Sequence, residues 1–161
     1  MIQTSDLVPL AEVAWLTEQG IDLARVPIDS VLRLALSADM AQSHSGCSLL
    51  GAMVHGGRIE AGVFLLGLLK HYSEDYARLT VVAEALASYP TPSTVDALAG
   101  ELRRVKGSSA TRAYLRRIIT TFERFPPAIV AAPIQELASD PLVGTRFRQH
   151  LREIMLRDNY E

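Results

Sequence analysis

The chain has 161 residues, 48% of them hydrophobic, with 16 Lys+Arg against 18 Asp+Glu and a formal net charge of −2. That length fits one domain with a packed core, and the balance excludes a strongly basic nucleic-acid protein, an acidic tail and wholesale disorder. A single cysteine, Cys47, excludes an internal disulfide framework and a cysteine-based zinc site.

In chain order, the start MIQTSDLVPL lacks a basic stretch followed by an apolar one, so no secretory signal is expected and the chain reads as cytoplasmic. LAEVAWLTEQG (10–20) is amphipathic and is expected to form an N-terminal capping helix within 1–25, with Trp15 closing the core behind it. From there on, apolar helical segments come in pairs. VPIDSVLRLALS opens at Val26 and HSGCSLLGAMVHGG at His44; EAGVFLLGLLKHY opens at Glu60 and RLTVVAEALASYP at Arg78. TVDALAGELRRV opens at Thr94 and RAYLRRIITTFERFP at Arg112; AIVAAPIQELAS opens at Ala128 and RFRQHLREIMLRDN at Arg146.

Both series recur every 34 residues, so four two-helix units are expected at 26–59, 60–93, 94–127 and 128–161. Gly56–Arg58, Tyr89–Pro92 and Phe125–Pro127 carry turn and helix-stop residues between units. Ser, Asp and Gly clusters between the paired segments are suited to capping the helix that follows. Leu34, Leu68 and Leu102 share one column of the first segments, as do Leu50 and Ile118 in the second. One hairpin cannot bury its apolar stripe alone, and stacked hairpins can. Strand signals are nearly absent, and the longest apolar run, Ala61–Leu69, is too short to span a bilayer. The expected class is all-α, a single domain over 1–161.

The last unit carries a resemblance. Pro133 inside its first segment, then Asp140–Pro141, then Arg146 six residues after the aspartate, resembles a HEAT or HEAT-like repeat. In that family the proline kinks the first helix, Asp–Pro starts the second, and Asp and Arg columns form a ladder between neighbours. The resemblance covers about 26–159 and implies a right-handed α-α superhelix of about four repeats. Its structural ladder would be Arg78, Arg112 and Arg146 with Asp140. The match is uneven: His44 stands in the arginine column of the first unit, and the aspartate column reads Ala38, Tyr72, Lys106 and Asp140. The tetratricopeptide pattern does not align, and an armadillo unit would need a third helix. Such repeats host many unrelated roles, so function must come from the residues themselves.

Few residues point to chemistry. Cys47 lies near His44 and His55, but no orienting carboxylate or oxyanion donors are identifiable, and a free cysteine in an apolar segment reads as core filler. The histidines His44, His55, His71 and His150 show no metal-ligand spacing. Glycines 46, 51, 56 and 57 match neither phosphate-loop pattern; Gly46 and Gly51 read as close helix contacts and Gly56–Gly57 as a helix stop. Glu74 and Asp75 read as a helix-capping pair rather than a general acid and base. No catalytic, cofactor-binding or metal-ligating residue is assigned.

Charge polarity is the main functional hint. Residues 1–96 hold 5 Lys+Arg and 11 Asp+Glu, residues 97–161 hold 11 and 7. Arg112 and Arg116 stand one helical turn apart, as do Arg148 and Arg152, and these four are the candidate partner-binding residues. Aromatics that would stack on single-stranded nucleic acid are few, and Tyr114, Phe122, Phe125 and Phe147 fit core positions. The expected function is a protein–protein interaction module or small adaptor without catalytic activity, holding a protein partner and no membrane. The alternative is a HEAT-like enzyme or nucleic-acid-binding protein, similar to alkylpurine DNA glycosylases or bilin lyases. The glycosylase version needs a Trp at the centre of a basic groove, whereas Trp15 is the only one and lies at the expected end.

Overall fold

A computed structural model describes residues 15–158, and 71% of these are helical. Among the described residues eight α-helices follow one another: α1 (Ile28–Ala35), α2 (Met40–His55), α3 (Glu60–Tyr72), α4 (Tyr76–Ala85), α5 (Pro92–Arg104), α6 (Arg112–Glu123), α7 (Pro127–Ser139) and α8 (Thr145–Asp158). The all-α expectation holds. Successive starts within each series, α1-α3-α5-α7 and α2-α4-α6-α8, fall within two residues of the expected 34.

The helix starts follow from local chemistry. Asp39 and Asp75 accept hydrogen bonds from the backbone N–H of Gln42 and Arg78, and Thr91 from that of Thr94, each filling one orphan donor of a first turn. Proline stands in the first turn of α5 and of α7, where its missing N–H costs nothing. Gly57, at φ 96°, reverses the chain after α2.

The N-terminal expectation needs correcting. Residues 1–14 lie outside the described residues, and 15–21 are not helical. They form a small antiparallel hairpin, β1 (Leu16–Thr17) and β2 (Gly20–Ile21), with Leu16 opposite Ile21 and Thr17 opposite Gly20. Gly20 sits at φ 118°, outside helical space, and the Thr17 hydroxyl donates to its carbonyl at 2.9 Å. Trp15 does pack, half-buried, against the core.

Paired helices pack within each hairpin: α1 on α2, α3 on α4, α5 on α6 and α7 on α8. The second helices also touch in a row, α2 with α4, α4 with α6 and α6 with α8. On the other edge α5 packs on α7, while α1, α3 and α5 scarcely meet. One apolar core runs through the hairpins, from Val31 and Leu50 through Leu65, Leu79 and Leu98 to Ile118 and Leu151. Leu68 and Leu102 are buried, as their shared column requires, but Leu34 in that column is 37% exposed on the two-turn helix α1.

Glycines bring helices together where the sequence places them. A Cβ on Gly46 would lie 2.6 Å from Ala35 Cα, so α1 crosses α2 backbone to backbone. A Cβ on Gly51 would lie 3.2 Å from the Ala85 carbonyl oxygen. The α1–α2 crossing is pinned by Ser43 Oγ, which donates to the Ala35 carbonyl at 2.8 Å, and by the Tyr72 hydroxyl donating to the same oxygen.

Candidate functional site

The arginine column has one residue in the first turn of each of α4, α6 and α8, but the three make different contacts. Arg78 is a cross-hairpin strut. Its Nη1 donates to Asp75 Oδ2 at 2.7 Å, its Nη2 to the carbonyls of Ser37 (3.1 Å) and Ala38 (2.6 Å), and its guanidinium lies 5.6 Å from the Tyr72 ring centroid. The Asp75 carboxyl is held below the usual carboxylate range, chiefly by this Arg78 contact. A cation in a first helical turn opposes the macrodipole, and here the capping aspartate compensates it.

Arg112 and Arg146 have no such partner. Before Arg112 stand hydroxyls rather than a carboxylate: Ser108 N–H donates to Thr111 Oγ1 at 2.9 Å and Thr111 N–H to Ser108 Oγ at 3.2 Å. For Arg146, each carboxylate within sequence reach is engaged elsewhere. Asp140 accepts from Arg103 Nε at 2.6 Å, and that contact, ahead of the Leu142 N–H, holds its carboxyl below the usual range. Glu101 accepts from Arg104 (2.6 Å) and from the buried Tyr114 hydroxyl (2.8 Å). Glu123 accepts from Arg157 at 2.6 Å. The contact expected of Asp140 with the arginine column is therefore replaced by one to Arg103, on the first helix of the preceding hairpin.

Arg112, Arg116 and Arg146 are exposed and line one cleft of about 600 Å³ between α6 and α8. The α5–α6 loop (Gly107, Ser108, Ser109) and the turn into α8 (Gly144, Thr145) form its rim, half-buried Phe147 lies on one wall, and Gln149, His150 and Glu153 line the α8 side. None of the three guanidinium groups has an ion-pair or hydrogen-bond partner among the described residues. Three arginines against one carboxylate, Glu153, leave the lining with a surplus of two positive charges when His150 is neutral. The first turns of both helices border the cleft, and their dipoles add to its preference for anions.

Of the four partner-binding candidates, Arg112 and Arg116 share this cleft, and Arg148 and Arg152 are not in its lining. Arg148 donates to Thr145 Oγ1 at 3.1 Å, and Arg152 to the Ala138 carbonyl at 3.0 Å. Sequence reasoning placed Arg146 only in the ladder and missed Ser109, Phe147 and His150. The repeat register itself held the signal, since residues 34 apart on neighbouring second helices should lie side by side.

Elsewhere the C-terminal cations are largely engaged. Arg103 meets Asp140, Arg104 meets Glu101, Arg117 lies 3.6 Å from Glu84, and Arg157 bridges to Glu123. Cys47 is buried, and burial, partly offset by Arg78, raises its thiol to about 11. Among the described residues no group of three or more His, Cys, Asp or Glu gathers to hold a metal, and no helix is long and apolar enough to cross a membrane. No family model, curated protein or solved structure matches the chain.

Proposed function

We propose that the chain is a HEAT-like α-α superhelix, right-handed, with repeats at 26–59, 60–93, 94–127 and 128–161, and that it serves as an interaction module or small adaptor for a protein partner. The row of touching second helices supports the superhelical reading. The observation that carries the functional reading is the α6–α8 cleft, where exposed Arg112, Arg116 and Arg146 gather without partners. Unpaired guanidinium groups in a concave site are poised for charge-assisted contacts with an anionic group. The fold-level analogy supplies the class of role and not the partner.

The surplus of basic residues in the C-terminal half favours a second reading, nucleic-acid binding. A nucleic-acid track needs many free cations along a surface, because each neutralised phosphate contributes to affinity. Here Arg103, Arg104, Arg117 and Arg157 are paired with carboxylates, which favours the protein-partner reading.

The test is affinity capture from the native host with the wild-type chain and with the Arg112→Gln/Arg116→Gln double variant, each before and after nuclease treatment. A protein recovered in near-stoichiometric amount by the wild type, retained after nuclease and lost with the double variant supports the reading. Identical capture by both chains, or complete release by nuclease, overturns it.

A further inference from the structure

We infer that the α6–α8 cleft recognises a single phosphate monoester carried on a peptide segment of the partner, a phosphoserine or phosphothreonine. This rests on the reading of the chain as a protein-binding module and names the group the module would hold.

Three features select that group. The first is charge: the lining carries Arg112, Arg116 and Arg146 against Glu153, a surplus of two, and a phosphate monoester near neutral pH carries close to two negative charges. The second is geometry. The guanidinium groups come from two helices, α6 and α8, and line one cleft, and a phosphate offers several strong acceptor oxygens to be shared among them where one carboxylate offers two. The Ser109 hydroxyl on the rim adds a neutral donor, while that of Ser108 is engaged by Thr111. The third is confinement. Beyond the cleft Arg103, Arg104, Arg117 and Arg157 are paired with carboxylates, and Arg148 and Arg152 hydrogen-bond a hydroxyl and a carbonyl. In the C-terminal half only Lys106 and Arg124 remain outside the cleft without a side-chain partner among the described residues, too few to continue a cationic track for a run of acidic side chains or a nucleic-acid backbone.

A cleft of about 600 Å³ takes one such group with part of the chain on either side. Phe147 offers an apolar wall for a neighbouring side chain. The Gln149 amide and the Glu153 carboxylate offer both donors and acceptors to the flanking peptide main chain.

The experiment uses the full chain and fluorescence polarisation. Its probes are a degenerate peptide pool with one fixed central phosphoserine, the same pool with serine, the same pool with glutamate, free phosphoserine and a single-stranded oligonucleotide. The expected result is binding of the phosphorylated pool, at least tenfold weaker binding of the serine and glutamate pools, and at least tenfold loss for either Arg112→Gln or Arg146→Gln. Arg33→Gln, on exposed α1, should leave binding unchanged. Equal binding of the serine and phosphoserine pools overturns the phosphate inference while leaving the protein-binding reading standing. Free phosphoserine binding as tightly as the pool overturns the peptide as its source. Binding of the oligonucleotide alone overturns this inference and the protein-binding reading together, and binding of no probe overturns this inference.

Discussion

Replacing Gly46 with alanine tests the close backbone contact between α1 and α2. The new Cβ would stand 2.6 Å from Ala35 Cα, whereas carbon atoms pack at about 3.5–4.0 Å, so α1 must retreat by about 1 Å. It cannot do so freely, because the Ala35 carbonyl is gripped by both Ser43 and Tyr72. Overpacking of this kind costs about 1–3 kcal/mol. Against it stands the gain from replacing glycine inside a helix, about 0.5–1 kcal/mol. The net expectation is a loss of about 1–2 kcal/mol, a fall in melting temperature of about 2–8 °C for a chain of this size. Gly67, in the middle of α3, supplies the control, since a Cβ there meets nothing within 4 Å. Gly67→Ala keeps only the helix gain and should raise the melting temperature by about 1–4 °C. Thermal unfolding followed by far-UV circular dichroism reads both. If Gly46→Ala stabilises the chain as Gly67→Ala does, α1 does not cross α2 at this glycine and the packing described is refuted.

Three further outcomes follow from the side-chain network. Arg78→Ala should lower the melting temperature clearly, since it removes the strut to Asp75 and to the Ser37 and Ala38 carbonyls, while Arg112→Ala should change stability by less than about 0.5 kcal/mol; equal effects in urea denaturation would refute the contrast. Cys47, its thiol raised to about 11 by burial, should resist an aromatic disulfide reagent at pH 8 in the folded chain and react promptly in denaturant; fast native reaction would contradict its burial. The Asp140 carboxyl is depressed by Arg103, so its contribution to stability is complete above the unfolded value of about 3.9 and disappears as pH falls through the lower folded value. Asp140→Asn should therefore be less stable than the wild type at pH 6 and converge on it toward pH 2–3, and a gap that persists undiminished at low pH would count against the Arg103 pairing.

Periodicity made the helices legible, because burial of one stripe per helix repeats whatever the loops do. It also pointed to the Gly46 and Gly51 contacts, although a glycine inside an apolar helical segment does not by itself mean close approach, since Gly67 in α3 meets nothing within 4 Å. The first described residues were less readable. Residues 15–21 are amphipathic enough to pass for a helix, yet Gly20 at φ 118° turns them into a hairpin, and hydropathy does not report φ. Leu34 matches Leu68 and Leu102 in the repeat, but a column buries a residue only where a neighbouring helix stacks on it. The arginine column shows the same limit at the candidate site. Its position in the first turn follows from helix spacing, whereas its partners depend on the preceding loop: an aspartate for Arg78, hydroxyls for Arg112, and for Arg146 a Gly144 turn with Asp140 already held by Arg103. Two arginines expected to bear load thus face open solvent in the cleft.

The unequal edges of the fold give the molecule a direction in which it yields. The row α2-α4-α6-α8 is continuous, whereas α1, α3 and α5 scarcely meet. From α1 to α6 the stack is joined along one side and slack along the other, like a book held at its spine, whereas at the last hairpin α5 on α7 closes the second edge as well. Bending that fans α3 away from α5 disturbs little packing, while the opposite twist must shear the contacts of α4 with α6. Thermal fluctuation should therefore concentrate in opening and closing of the first-helix edge between α1, α3 and α5, and a load applied across that part should splay it before it breaks the spine.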